Sequence, residues 1–193
     1  MSTPKIAAFA GSLRAGSLNK KLLALAVDAA RSAGAEVSVV DLRELALPLF
    51  DQDFEDANSL PEGAKTFKSL LRASDGFLIA SPEYNSSITG ALKNAIDWAS
   101  RSETDDEPPL AAFRGRTAAL FAASPGVLGG LRSLVTLRSI LGNIGVLVLP
   151  DQVTLAKAGE AFDETGRLKD ERKAKQVVHL AQNFVETLRK LKS

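Results

Sequence analysis

A loop of nine residues from Gly11 to Asn19, with the sequence GSLRAGSLN, is the part of the chain best equipped to bind an anion. It follows a short apolar run and precedes a segment of helical periodicity, so its backbone N–H groups and the positive end of the helix dipole should face the ligand. Ser12, Ser17 and Asn19 add neutral donors, and Arg14 adds a charged one. This set suits a terminal phosphate monoester, which has three oxygens and a double negative charge. The alternative is a tight turn whose serine and asparagine side chains only cap the helix.

Two common phosphate-binding loops do not match this segment. A Walker A loop places a lysine directly after its second glycine, whereas Ser17 follows Gly16 here. Gly11 and Gly16 also lack the GxGxxG spacing of a dinucleotide-binding fold. The spacing therefore argues against an NTPase and against a Rossmann dinucleotide site.

Two further loops follow apolar runs and carry polar or flexible residues. In the segment from Ser81 to Gly90 (SPEYNSSITG), Pro82 fixes one backbone dihedral, and Tyr84 and Asn85 place an aromatic face beside an amide. A planar ring with hydrogen-bonding groups would fit such a pair, although a capped helix start explains the segment as well. The segment from Ser124 to Gly130 (SPGVLGG) has glycines that let a backbone approach a ligand closely, or that serve only loop flexibility.

Composition excludes several other classes of site. The chain has 193 residues, no cysteine and one histidine, so disulfides, a thiolate nucleophile, iron–sulfur clusters and Cys/His zinc sites are excluded. The net charge of +1 provides no basic field for nucleic acid, so we expect no nucleic-acid partner. No run approaches the roughly 18 apolar residues of a membrane span, and no signal peptide is visible at the start. We therefore expect a cytoplasmic protein without membrane insertion.

The elements that must position these loops follow a regular alternation. Short apolar runs predict five buried parallel strands: Ile6 to Ala10, Val37 to Val40, Phe77 to Ala80, Ala118 to Ala122 and Val146 to Leu149. Segments with helical spacing follow them; the fourth has a stripe of Leu131, Leu134, Val135, Arg138 and Leu141. The pattern predicts an α/β fold, a three-layer sandwich with a flavodoxin-like strand order of 2-1-3-4-5. Residues 1–193 are expected to form one domain, with ligands at the carboxyl ends of the strands.

Other conspicuous residues are interpreted structurally. The acidic segments Asp51 to Pro61 and Ser102 to Pro109 are predicted to be solvated connections, with a role at the rim of an active site as the alternative. Trp98 is predicted to lie in the core, and His179 to lie on the surface of the last helix.

Together the motifs GSLRAGSLN, SPEYNSSITGALKNAIDW and SPGVLGG closely resemble the NADPH-dependent FMN reductase family, a flavodoxin-like group that includes quinone and chromate reductases. The resemblance implies that FMN is the cofactor, with its phosphate held by the first loop, its isoalloxazine along the second, and the third loop approaching from another side. The residues implied are Ser12, Leu13, Arg14, Ala15, Gly16, Ser17, Leu18 and Asn19 for the phosphate, Pro82, Glu83, Tyr84 and Asn85 for the ring, and Ser124 and Gly126 for the third side. The chain departs from the commonest family form at Leu18, Thr89 and Pro125; these changes affect flavin packing and loop shape, and none of them removes a phosphate donor.

The resemblance also implies an activity and an assembly. NADPH or NADH would reduce the bound FMN, and a small electrophile such as a quinone, free flavin or chromate would reoxidise it in a ping-pong cycle. No catalytic side chain is assigned, because this chemistry does not require a protein acid or base. A homodimer or homotetramer is expected, in which Glu83 or Arg101 either bridges subunits or lies in solvent.

Two rival functions use the same residues differently. An electron-transfer flavodoxin would share the fold, but flavodoxins are typically acidic and their phosphate loops are Thr/Ser-rich without an arginine. A serine hydrolase would use Ser124, an aspartate such as Asp151 or Asp163, and His179; however, Ala122 stands where the G-x-S-x-G motif needs glycine.

Overall fold

The computed structural model describes residues 2–192, whose strands form one parallel sheet. The five strands are β1 (Lys5–Ala10), β2 (Glu36–Asp41), β3 (Gly76–Ala80), β4 (Thr117–Ala123) and β5 (Leu147–Leu155). Their order in the sheet is β2-β1-β3-β4-β5, which confirms the predicted topology. The carboxyl ends of β1, β3 and β4 are therefore neighbours at one edge, and the loops that follow these strands must meet there.

Helices cover both faces of this sheet. They are α1 (Leu18–Ser32), α2 (Gln52–Asn58), α3 (Glu62–Ala73), α4 (Gly90–Ala99), α5 (Leu131–Asn143) and α6 (Glu171–Leu191). None of the helices described between residues 2 and 192 is long and apolar enough to cross a membrane.

Alternate residues of each central strand pack against opposite helix layers, because successive side chains of a strand point to opposite faces. Ile6 and Ala8 of β1 pack with α1 and α6 in one hydrophobic cluster. Phe9 packs in the other with α3, where its ring meets that of Phe67 edge-on at 5.1 Å between centroids. The near-continuous apolar runs of the central strands thus reflect burial on both faces, as predicted.

Trp98 of α4 is fully buried, which confirms its predicted place in the core. Its indole Nε1 donates a hydrogen bond to the carbonyl oxygen of Pro48 at 2.8 Å, and Leu60 and Ala64 pack against the ring. The tryptophan therefore joins α4 to the segment between β2 and α3.

Three sequence-based expectations about the elements were wrong. The segment from Asp51 to Pro61 contains α2, whose seven residues include no buried side chain, so no apolar periodicity marked it. The fifth strand begins at Leu147 and runs to Leu155, past the predicted end at Leu149. On α5, Val135 is 63% exposed and Leu137 is buried instead, because that helix is apolar over a wider arc than the sheet covers.

Candidate functional site

The loops that follow β1, β3 and β4 meet at the carboxyl edge of the sheet, where they line one cavity of about 100 Å³. We call residues 11–19, 81–90 and 124–130 together the loop cradle. The side chains and backbone that line its cavity are those of Ser12, Arg14, Ser17, Leu18, Asn19, Pro82, Glu83, Tyr84, Ala123, Ser124 and Pro125. Five other predicted site residues, namely Leu13, Ala15, Gly16, Asn85 and Gly126, belong to the same loops but do not line this cavity.

The first loop presents hydrogen-bond donors that the protein leaves unused. Ser17 caps α1 by accepting from the backbone N–H of Lys20 at 3.3 Å, and Ser12 Oγ accepts from the N–H of Arg14 at 3.3 Å. Both serines are buried, and neither hydroxyl donates to an acceptor within residues 2–192. Two buried hydroxyls, one of them at the start of a helix of 15 residues, lie in the same loop as an exposed guanidinium and form a donor set that fits a phosphate group.

Asn19 connects the first loop to the end of β4. Its Nδ2 donates to the carbonyl oxygen of Ala123 at 2.8 Å, and its Oδ1 accepts from the N–H of Ala123 at 2.9 Å. Because the side chain is buried and engaged in both directions, only one of its amide hydrogens is left for a ligand. Asn19 therefore fixes the start of α1 against the third loop.

The second loop contains a tight turn at its tip. Tyr84 and Ser87 exchange two backbone hydrogen bonds of 3.0 Å, and the residues between them, Asn85 and Ser86, have φ angles of 50° and 67°. Asparagine tolerates this left-handed conformation better than most residues, which explains its place in the turn. The turn presents Tyr84, which is 53% exposed, at the mouth of the cavity.

Thr89 ties the second loop to the first. Its Oγ1 accepts from the N–H of Leu92, which caps α4, and donates to the carbonyl oxygen of Gly11 at 2.5 Å. Gly11 has no room for a side chain, since a Cβ there would lie 2.9 Å from that of Leu92. The threonine that departs from the commonest family sequence therefore has a structural role between two loops.

Glu83 and Arg101 form ion pairs within their own chain. Glu83 pairs with Arg132 at the start of α5, with 2.7 Å between Arg132 Nε and Glu83 Oε1. Arg101 Nε lies 2.9 and 2.8 Å from the two carboxylate oxygens of Glu55 on α2. Both side chains are thus held by intrachain partners, so neither needs a second subunit for its charge.

The third loop depends on glycine at its end. Gly130 has a φ of 91°, and a Cβ there would lie 2.7 Å from that of Ala122. Ser124 begins the loop, and its Oγ accepts from the N–H of Gly126 at 3.2 Å. Residue 130 therefore has to lack a side chain for the end of this loop to pack against β4.

The constellation required for a serine hydrolase is not assembled. His179 and Asp151 line a separate open cavity between β5 and α6, and Ser124 does not belong to its lining. Within residues 2–192, no group of three or more histidine, aspartate or glutamate side chains is arranged to hold a metal ion.

The acidic segments 51–61 and 102–109, which we call the acidic rim, lie outside the cradle and are tied to the body of the protein by Lys68 and Arg101. Lys68 of α3 is 1% exposed, and its Nζ lies 2.5 Å from Glu107 Oε2 and 2.6 Å from the carbonyl oxygen of Arg101. Sequence reasoning missed this lysine, although its place next to Phe67 on an apolar helix face was a usable sign.

The charge of Glu107 reflects these partners. Burial by itself would raise the pKa of its carboxyl group. The N–H of Glu103 and the ammonium group of Lys68, with a smaller contribution from Arg72, outweigh that effect and hold the pKa below its ordinary value. Glu107 is therefore an anchored anion rather than a proton donor.

A second cavity of about 290 Å³ adjoins the first and shares Arg14 and Tyr84 with it. Arg43, which follows β2, also lines this cavity. Its Nε donates to the carbonyl oxygen of Leu13 at 2.5 Å. Sequence reasoning did not select Arg43, because nothing in its own segment marks it as part of a site.

Comparison with known proteins finds relatives in one family of reductases. The sequence model of the NADPH-dependent FMN reductase family matches residues 4–160. An NAD(P)H-dependent FMN reductase from Pseudomonas aeruginosa is 38% identical over 175 residues, which cover 90% of this chain and 89% of that protein. A probable NADPH:quinone oxidoreductase from Oryza sativa is 36% identical and is matched over 86% of this chain and 79% of its own length.

A solved structure extends the similarity to the whole fold. The flavoenzyme NAD(P)H:(acceptor) oxidoreductase FerB from Paracoccus denitrificans superposes with a TM-score of 0.79 at 30% identity, covering 97% of this chain and 98% of that one. Residues 4–160, which the family model matches, include all three loops of the cradle.

Proposed function

Because this chain belongs to the NADPH-dependent FMN reductase family, we propose that it is an oxidoreductase that binds FMN in the loop cradle and uses NADPH or NADH to reduce a small electron acceptor. The observation that carries the proposal is the convergence of three loops on one cavity at the carboxyl edge of the sheet. Ligands of doubly wound α/β proteins bind at this edge, where the strand order reverses.

The FMN phosphate is assigned to the first loop. The hydroxyls of Ser12 and Ser17 have hydrogens that no protein acceptor takes within the described residues, and the N-terminus of α1 adds its dipole. Arg14 provides the cation, since its guanidinium has no hydrogen-bond partner within residues 2–192 and lines the cavity. Leu13, Ala15, Gly16 and Leu18 shape the loop, and Asn19 holds it against β4.

The flavin ring is assigned to the space between the second and third loops. Pro82 and Tyr84 offer apolar surface, and Glu83 is held away by its ion pair with Arg132. Asn85 stands at the tip of the turn, where its exposed amide can meet the polar edge of a ring. Ser124 and the backbone near Gly126 close the third side.

When bound, FMN supplies the redox chemistry by taking up a hydride from the nicotinamide and passing electrons on to the acceptor. The protein binds and orients the partners and keeps their reacting faces together. We assign no side chain as an acid or base. If the nicotinamide and the acceptor use the same face of the flavin, one must leave before the other binds. This predicts ping-pong kinetics, with parallel lines in double-reciprocal plots.

A quinone is the acceptor class that we propose. Several relatives are named for quinones, including a 2-hydroxy-1,4-benzoquinone reductase from Burkholderia at 33% identity over 168 residues. Comparing turnover of a quinone, free FMN and chromate under the same conditions ranks the acceptors. A clear preference for chromate or free FMN would overturn this assignment.

We also propose that the protein forms a homodimer or homotetramer and acts in the cytoplasm. The support for assembly is a run of exposed apolar side chains along the third loop and α5: Val127, Leu128, Leu131 and Val135. Contiguous exposed apolar surface commonly marks interaction sites. Light scattering on the purified protein should give a multiple of the chain mass, and the mass of one chain would contradict the proposal.

The first experiment is a visible spectrum of the purified protein with added FMN, followed by anaerobic NADPH. A bound flavin spectrum that bleaches on NADPH addition is expected. Flavin binding without NADPH oxidation would instead favour an electron-transfer flavodoxin. Folded protein that binds no flavin would contradict the function and the site together.

Arg14→Ala tests where the phosphate binds. The variant should lose about 1.5 to 3 kcal/mol of FMN affinity while keeping riboflavin affinity, because only FMN carries the phosphate that a charge-assisted hydrogen bond would hold. Arg172→Ala, which removes an exposed arginine at the start of α6, is the matched control. Equal losses for both flavins in Arg14→Ala would remove Arg14 from the phosphate site.

A further inference from the structure

The cavity that adjoins the cradle has a cationic lining. The residues that line it are Gly11, Leu13, Arg14, Arg43, Tyr84, Thr89, Gly90 and Ala91. Among residues 2–192, no aspartate or glutamate belongs to this lining, whereas two arginines do. Because Arg14 and Tyr84 also line the first cavity, a molecule that reacts at the flavin can extend into the second one. The cavity therefore suits the anionic end of an elongated ligand.

Arg43 is held so that its guanidinium can bind such an anion. Its backbone N–H is bonded to Asp41 Oδ1 at 3.0 Å, and its Nε donates to the carbonyl oxygen of Leu13 at 2.5 Å. These two contacts hold the backbone and the guanidinium group of Arg43 in place. Within the described part of the chain, its two terminal nitrogens have no hydrogen-bond partner, so they retain four donor hydrogens.

The carboxylate of Asp41, which contacts the backbone of Arg43, does not cancel this charge. Asp41 Oδ2 lies 2.5 Å from the ammonium nitrogen of Lys20, which makes a salt bridge with it. Burial opposes the charge of Asp41, but its contacts with Lys20 and Arg43 hold its pKa below the ordinary value, so it stays paired and negative at neutral pH. The guanidinium groups of Arg14 and Arg43 thus keep a net positive charge at the cavity.

We propose that Arg43 binds the 2′-phosphate of NADPH and makes this protein prefer NADPH to NADH. The proposal rests on the proposed function and adds the identity of the nicotinamide substrate. NADPH and NADH differ only in that phosphate, whose dianion matches the planar fork of a guanidinium. Arg14 is assigned to the FMN phosphate, which leaves Arg43 as the second arginine of the lining.

The composition of the lining supports the same choice. Sites that select NADH commonly use a carboxylate to accept a hydrogen bond from the ribose 2′-hydroxyl. No carboxylate lines this cavity among the described residues, and the N-terminus of α4 at Gly90 adds a positive dipole end. Both features favour a phosphate over a neutral hydroxyl.

Arg43→Gln in the FMN-loaded protein tests the proposal. With a neutral quinone as acceptor, kcat/KM for NADPH should fall about 10- to 100-fold, the range expected for loss of a charged hydrogen bond, while the value for NADH changes less than about twofold. Calorimetric titration with NADP⁺ and NAD⁺ should show the same difference in Kd without turnover. Arg43→Lys should recover part of the NADPH preference, because it restores the charge without the fork.

Arg172→Gln is the matched control, since it removes the same charge from an exposed position on α6. It should leave both nicotinamide constants unchanged. Equal losses for NADPH and NADH in Arg43→Gln would mean that Arg43 only supports the first loop through Leu13, and would overturn the proposal. Unchanged selectivity, or wild-type protein that prefers NADH, would overturn it too.

Failure of this inference is distinguishable from failure of the proposed function. If the protein binds FMN and oxidises either nicotinamide, the function stands whatever Arg43→Gln does. A loss that appears only with an anionic acceptor, and equally for both nicotinamides, would assign Arg43 to the acceptor and contradict the proposal.

Discussion

The loop cradle and the acidic rim are both rich in polar groups, but they use them in opposite ways. In the acidic rim, Glu107 is paired with Lys68, and Glu55 is paired with Arg101. In the cradle, the hydroxyls of Ser12 and Ser17 and the guanidinium of Arg14 have no acceptor within the described residues. Charges that are paired within the protein, like these two, stabilise the fold, whereas donors left over have the capacity to bind a ligand.

This contrast also separates two kinds of support inside the cradle. Asn19 and Thr89 are buried, and each binds the backbone of a neighbouring segment: Asn19 binds Ala123 at the end of β4, and Thr89 binds Gly11 of the first loop. They hold the loops in place so that the unengaged donors converge on one cavity. Polar side chains of the cradle thus have two different roles. Their hydrogen-bond partners distinguish these roles, whereas the residue types in the sequence do not.

Among the variants that test this difference between rim and cradle, Lys68→Met should have the largest effect, and that effect should be on stability. Removing the ammonium group leaves the buried carboxylate of Glu107 with only the more distant, half-exposed Arg72 as a cation, which should lower the free energy of unfolding by about 3 kcal/mol. The Kd for FMN of the folded variant should stay within about twofold, because the rim contributes nothing to the cradle. Urea denaturation and flavin titration measure the two quantities.

Lys65→Met on the same helix is the control for Lys68→Met. Lys65 is partly exposed and makes its salt bridge with exposed Glu62, so its loss should change stability by less than about 0.5 kcal/mol. If Lys68→Met instead weakened FMN binding strongly and left stability intact, the division between rim and cradle would be wrong.

An intermediate effect is expected for Asn19→Ala, which should lower both the stability of the protein and its affinity for FMN. The change leaves the N–H and C=O of Ala123 without their partner and should cost about 1 to 3 kcal/mol of stability. FMN affinity should fall as well, since the start of α1 is no longer held against the third loop. Asn58→Ala, which removes an exposed asparagine bonded to the carbonyl oxygen of Phe54, should change neither. Loss of stability with unchanged FMN affinity would show that the contact to Ala123 does not position the cradle.

The smallest expected effect is the loss of stability at low pH that comes from protonation of the Glu107 carboxyl group. Its pKa in the folded state lies below the ordinary value of 4.5, so its pairing stabilises the protein above that pH and is lost as the pH falls through the folded pKa. Thermal unfolding measured from pH 7 down to pH 3 should show a decline that is shallower in Glu107→Gln than in the wild type. Identical slopes would mean that Glu107 has no lowered pKa.

Much of the fold, and the meeting of the three loops at one edge of the sheet, could be predicted from local pattern. Apolar runs buried on both faces marked the central strands, and their order placed the loops after β1, β3 and β4 at one edge. Helix α2 was missed because a short helix with no buried side chain has no periodicity to detect. The exposure of Val135 was missed because two adjacent apolar stripes run along α5 and only the sheet decides which one is covered.

The sequence by itself determined which residues can do chemistry: a donor-rich loop before a helix, an aromatic and an amide side by side, and glycines where backbone must come close. The tertiary structure decided which of those groups remain available. Asn19 binds Ala123, 104 residues away, and Lys68 binds Glu107, 39 residues away, so neither partner is visible in local sequence. Arg43 contacts the first loop only because β2 ends beside that loop. Hydrogen bonds and ion pairs act over a few ångströms, and the topology of the sheet sets which distant residues come within that range.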